Sequence, residues 1–146
     1  MKIKNNELSE LVKKEININF AFACLNGDIE AVKENINDEY IDNLGYEKGM
    51  FGIYAAMNGH KEILELLYQH PKSEEIKQYQ HNVFNAAASH GQIECVKFLL
   101  DSGSNPLELK GTTAYNNYEE VKVIFDEYIA EHDVKTTGDI IHTEAY

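Results

Sequence analysis

Three glycines constrain this chain more than any other feature. Gly27, Gly59 and Gly91 recur every 32 residues in a chain of 146. A fixed internal period of this size is the signature of stacked repeats. The copies read Phe22-Ala23-Cys24-Leu25-Asn26-Gly27-Asp28-Ile29-Glu30-Ala31-Val32, then Tyr54-Ala55-Ala56-Met57-Asn58-Gly59-His60-Lys61-Glu62-Ile63-Leu64, then Ala86-Ala87-Ala88-Ser89-His90-Gly91-Gln92-Ile93-Glu94-Cys95-Val96. Small residues stand four and three places before each glycine, where they let one helix pack close to the next. The glycine suits a left-handed helix C-cap, which is cheapest without a Cβ. A Glu follows by three places and an apolar residue by five. Beyond the glycine, Ile63, Leu64, Leu66 and Leu67, and Ile93, Val96, Phe98, Leu99 and Leu100, fall at helical spacing. Each copy thus predicts a helix, a tight turn, a longer helix and a polar connection. One copy alone cannot bury its apolar face; stacked copies can.

The two central copies carry a family resemblance. Ala55 through Leu67 and Ala87 through Pro106 resemble the ankyrin repeat, and the latter closes on Leu99-Leu100 and then Gly103 much as that family does. The resemblance spans roughly residues 18–129. It implies an all-α, ankyrin-like solenoid of about three full repeats and a truncated fourth. The expected bounds are 18–49, 50–81, 82–110 and 111–130. The family's Thr-Pro-Leu-His opening is absent, its places being taken by Ile18-Asn19-Phe20-Ala21, Met50-Phe51-Gly52-Ile53 and Asn82-Val83-Phe84-Asn85. In the first copy Glu34 and Asn35 replace later apolar residues, which fits a terminal copy. In the fourth, Tyr118 through Asp126 aligns with Ile93 through Asp101, a step of 25, so its first helix must be a stub.

The ends and connections complete the expected plan. Leu8, Leu11, Val12 and Ile16 make one helical face, read as an N-terminal capping helix within residues 1–17 that covers the first repeat. The tail 131–146 is polar apart from Ile140-Ile141. The connections 37–49, 69–81 and 101–111 hold Asp38, Glu39, Asp42, Pro71, Glu74 and Glu75, and are expected to project as fingers. Tyr40, Tyr46 and Tyr79 lie in them, either as contact residues or folded back onto the second helices.

Charge narrows the partner class. Thirteen basic residues, all Lys, face 25 acidic ones, for a net charge of −12. Gripping nucleic acid takes Arg and Lys against phosphate, so direct nucleic-acid binding is not expected. The acid either steers the chain toward a protein partner with a basic face or serves only to keep it soluble. The scarcity of Arg beside abundant Asn, Ile, Lys and Tyr suits an AT-rich coding sequence. No apolar run approaches the ~18 residues of a membrane span, and the N-terminus lacks a signal-peptide core. The expected place is the cytoplasm, or a host cytoplasm for a viral or secreted effector, and the expected state is a monomer.

The search for chemistry points away from catalysis. No P-loop, GxSxG, HExxH or EF-hand pattern occurs. His60, His70, His81 and His90 do not pair at i, i+4, so no metal site or cofactor is expected; His60 and His90 are read as turn hydrogen-bonders. Cys24 and Cys95 fall on core positions and are expected to be buried, inert thiols in a reducing compartment. Glu74-Glu75 and Glu119-Glu120 are sequence neighbours, so they read as solvated acids.

A non-enzymatic protein-binding module is the reading that remains. By register the exposed positions of the first helices are Phe22 and Leu25, Tyr54 and Met57, and Ala86 and Ser89, with Phe22 and Leu25 alternatively packed under the capping helix. The candidate contact residues are Tyr46, Tyr54, Met57, Asn58, Tyr79, Ser89 and His90. With one small domain, the expected output is blocking or tethering, as an inhibitor or adaptor. The alternative is an acidic mimic of nucleic acid, of the phage or viral anti-defence kind, that fills the basic groove of a nucleic-acid-processing enzyme.

Overall fold

A computed structural model describes residues 5–41 and 43–132. Its helices are α1 (Asn5–Asn26), α2 (Ile29–Asn35), α3 (Tyr46–Met57), α4 (Lys61–Gln69), α5 (Glu74–Lys77), α6 (Gln80–Ser89), α7 (Ile93–Asp101), α8 (Thr113–Asn116) and α9 (Glu119–His132), with a 3-10 turn at Pro106–Leu109. No strand occurs among the described residues. The helices stand in two rows: α1, α3, α6 and α8 pack side by side, α2, α4, α7 and α9 pack behind them, and each pair joined by a turn packs across the rows. The chain is an all-α repeat solenoid.

The glycine turn explains this geometry. Gly27, Gly59 and Gly91 have φ of 74°, 76° and 67°. Past Gly59, the His60 N–H bonds the Ala55 carbonyl at 2.9 Å and the Gly59 N–H bonds that of Ala56 at 3.2 Å. These are the two bonds that close a helix through a left-handed residue. Gly91 and Gln92 repeat them onto Ala88 and Ala87. The small residues before each glycine, Cys24, Ala55-Ala56 and Ala87-Ala88, are buried between the rows. Asp28 begins α2 by accepting the Ala31 N–H at 3.1 Å, the ordinary N-cap contact.

Several expectations change. The capping helix is not separate: α1 is one continuous helix of 22 residues that runs into the first repeat. Nothing in the stretch from Lys13 to Ile18 breaks a helix, so the chain lengthens the first helix rather than folding over it. Phe22 and Leu25 therefore do not lie beneath a cap. The face read from Leu8, Leu11, Val12 and Ile16 divides: Leu8 and Leu11 are exposed, Val12 is half-buried, and Ile16 packs against the core. In the last copy α8 is a four-residue stub. The residue that covers Gly91 is Tyr118, as His60 covers Gly27 and Gln92 covers Gly59. Tyr118 thus matches Gln92, not Ile93, and the step is 26. α9 continues through Glu131 and His132, which were assigned to the tail; the rest of that tail, with Ile140-Ile141, lies outside the described residues.

The connections do not project. Segment 37–49 lies on segment 69–81, where the Leu44 N–H bonds the Glu75 carboxylate at 3.0 Å. A Cβ on Gly45 would meet the Glu75 carbonyl oxygen at 2.3 Å. Glu47, Lys48 and Gly49 turn left-handed, with φ of 49°, 60° and 94°, inside the bounds of α3.

Gly59→Ala is expected to cost about 2 kcal/mol or more in urea denaturation, since a left-handed Ala costs roughly 1–2 kcal/mol and its Cβ would meet the Gln92 side-chain oxygen at 2.6 Å. Gly111→Ala has the same sign of φ but nothing within 4 Å, and should lose only the backbone part.

Candidate protein-binding face

The turns also join neighbouring repeats. At the C-terminal end of a helix the last carbonyls have no partner within it. Two of these open carbonyls are taken by the next repeat. The His60 Nε2 lies 3.0 Å from the Leu25 carbonyl oxygen, and the Asn58 Nδ2 donates to the same oxygen at 2.7 Å. One repeat on, the Gln92 Nε2 donates to the Met57 carbonyl at 2.7 Å. His60 is therefore a hydrogen-bonder across repeats and not within its own turn. His90 does bond within its own helix, through Nδ1 to the Ala86 carbonyl at 2.8 Å. Ser89 donates to the Asn85 carbonyl at 2.7 Å.

Met57, Asn58, Ser89 and His90 consequently line one edge of the stack, at the ends of α3 and α6. Asn58 and His90 are exposed; Met57 and Ser89 are half-buried. Tyr54 lies on the same helix as Met57, half-buried and packed on the core. The two tyrosines expected on fingers lie elsewhere. The Tyr46 ring stacks on Phe51, with centroids 5.5 Å apart and planes 17° apart. Tyr79 lies across Gly45 and Gly49, so close that a Cβ on either would strike it. Both rings fold onto the first-helix row rather than the second helices, and for Tyr79 those glycines leave no side chain in the way. Tyr40 is likewise half-buried. Ala86, expected on the exposed face, is buried.

The register displays a feature that the search for contact residues missed. Glu30, Glu62, Glu94 and Glu120 occupy the same position in successive repeats, and all four are exposed. With helices packed about 8–10 Å apart, they form a row of carboxylates along the starts of the second helices. Lys33 and Lys97 lie within 4.0 and 3.7 Å of Glu30 and Glu94. Between the turns runs an open trough of about 440 Å³ with Ile29 and Ile63 in its walls and Glu62 and Glu94 at its rim. A second open hollow beside Gly91 is walled by Ile93 and Tyr118 and rimmed by Glu119 and Glu120. The signal was present in the sequence as the Glu three places after each glycine.

Both cysteines are buried and free. Burial pushes the Cys24 thiol up to about 12. Burial raises Cys95 to about 11, against an opposing pull from Lys61 and with a small push from Glu94. Among the described residues, no group of three or more His, Cys, Asp or Glu side chains is placed to hold a metal ion, and no helix is long and apolar enough to cross a membrane.

The family model for ankyrin repeats, in three copies, matches residues 20–109. Together with the paired rows and the glycine turns, this places the chain in the ankyrin-repeat family, whose members generally serve as protein-interaction scaffolds. No curated protein and no solved structure matches it.

Raised thiol pKa values predict two outcomes. An aromatic disulfide reagent at pH 8 should leave Cys24 and Cys95 unmodified in the folded protein and modify both in urea. The folded thiols keep their protons longer than unfolded ones, so the stability they contribute is complete below about pH 8.5 and is lost as pH rises from there toward the folded values. Denaturation midpoints should fall across pH 9–11, and less steeply in Cys24→Ala.

Proposed function

We propose that this protein is a non-enzymatic binding module that recognises a protein partner with a basic face. The supporting observation is the row of exposed carboxylates at Glu30, Glu62, Glu94 and Glu120, held at fixed spacing by the stack on a chain of net charge −12. A row in which carboxylates outnumber the flanking Lys33 and Lys97 steers an oppositely charged surface and speeds encounter. The edge formed by Met57, Asn58, Ser89 and His90, flanked by Tyr54, adds the shorter-range contacts. Tyr46 and Tyr79 act in this reading by holding the connections against the stack, not by touching the partner. In this reading the module acts by occupying its partner, as an inhibitor or adaptor, and as a monomer in the cytoplasm of its own or a host cell.

The test is capture from native-source lysate with the wild-type chain and with Glu62→Lys/Glu94→Lys. The expected partner is a protein with a basic surface, retained at low salt, released at 0.5 M salt and lost in the charge-reversed variant. A partner that is indifferent to both would contradict the reading. Capture of a nucleic-acid-processing enzyme, competed away by its own nucleic acid, would move the function to groove mimicry.

A further inference from the structure

Helix α1 has an apolar face that the stack does not use. Leu8, Leu11, Ile18 and Phe22 each expose between 37% and 55% of their surface, and Leu25 is half-buried. Together with Glu15 they fall at alternating steps of three and four residues, the spacing of the a and d positions of a coiled-coil heptad. The stripe runs about 26 Å along the helix. Asn17, Phe20, Ala21 and Cys24, on the opposite side, are buried in the stack.

The register says what such a face accepts. Phe22, Tyr54 and Ala86 are equivalent positions. Phe22 is 51% exposed, Tyr54 is half-buried and Ala86 is 7% exposed. α3 has α1 before it and α6 has α3 before it, whereas α1 stands first among the described helices and its Phe22 side is open. At the far end of the stack α9 is more polar, exposing Lys122, Asp126 and Glu127 beside a single large apolar residue, Val123. A solenoid end without a polar outer face is an end that expects cover.

Glu15 selects the cover. It is exposed in the middle of the stripe, and an apolar helix laid over it would strip its hydration with no compensation. In the a and d layers a second copy of the chain supplies none. Pairing in parallel and in register sets Glu15 against Glu15, and antiparallel pairing of a with d sets it against Ile18. A cationic side chain in that layer turns the cost into a match. We propose that this stripe docks an amphipathic helix of a partner protein, apolar at heptad spacing and with a Lys or Arg in the layer that meets Glu15. This site is separate from the carboxylate row and stands or falls without it.

The test uses the full chain and two synthetic three-heptad peptides with leucine at a and d, one with lysine and one with glutamate in the central a layer. Calorimetric titration should show the lysine peptide binding wild type at least tenfold tighter than the glutamate peptide. Glu15→Lys should reverse that order. Leu11→Gln/Phe22→Gln, with an unchanged far-ultraviolet dichroism spectrum, should weaken binding at least tenfold. No binding, or binding of both peptides without preference, overturns the proposal. So does a concentration-dependent dimer in sedimentation that the double variant abolishes, because the occupant is then a second copy. Resonance shifts at residues 133–146 caused by the double variant would assign the stripe to this chain's own C-terminal segment and overturn it equally.

Discussion

Each repeat is held to the one before it by the residue that follows its glycine. Gly59 and Gly91 close their helices left-handed, and the next residue, His60 or Gln92, lies against the glycine of the preceding repeat. Its side chain reaches an open carbonyl there, Leu25 or Met57. Leaving such a carbonyl buried and unpaired costs about 1–3 kcal/mol. Two adjacent positions therefore divide the work: the glycine ends the helix, and the residue after it spaces the repeats and satisfies the backbone. Further from the turns, Gln80 joins the Tyr68 hydroxyl to Ser104, at 2.5 and 2.7 Å. This chain of polar groups fixes the other end of the same interface.

The repeat was legible because each of its parts has a local physical cause. A glycine at a fixed period, small residues before it and apolar residues at helical spacing after it leave few alternatives to paired helices in a stack. Burial of Cys24 and Cys95 followed from register alone. What was not legible depended on contacts between segments distant in sequence. Nothing in residues 37–49 announces that Glu75 will bond the Leu44 N–H, so that connection read as a projecting finger. For Tyr46 and Tyr79 the choice between a contact residue and a folded-back ring stayed open, because Gly45 and Gly49 become a seat for Tyr79 only once the two connections meet. The continuity of α1 was obscured by reading two amphipathic faces as two helices, when one helix carries both. The one-residue error at Tyr118 arose because its fit against Gly91 is a matter of shape, not of residue type.

The candidate site divides in the same way. Met57, Asn58, Ser89 and His90 were picked out by the turn register, and the turn is what puts them on one edge. The carboxylate row was written in the sequence at every repeat, but its meaning appears only when the stack puts equivalent residues side by side. Sequence neighbours such as Glu119 and Glu120 suggested solvated acid; Glu94 and Glu120, far apart in the chain, are the pair that shares a position. A rigid array of like charges costs some stability through repulsion, which the turn contacts between repeats must offset. That couples the two halves of the molecule: the hydrogen bonds hold the spacing, and the spacing is what a basic partner surface would read.

The most direct measurement is therefore equilibrium urea denaturation of Gln92→Ala, followed by far-ultraviolet dichroism and tyrosine fluorescence. A joint held by this side chain loses about 1–3 kcal/mol when it is removed and the Met57 carbonyl is left without its partner. A loss below about 0.5 kcal/mol, the usual range for an ordinary surface position, would contradict the assignment of the repeat joint to the residue after the glycine.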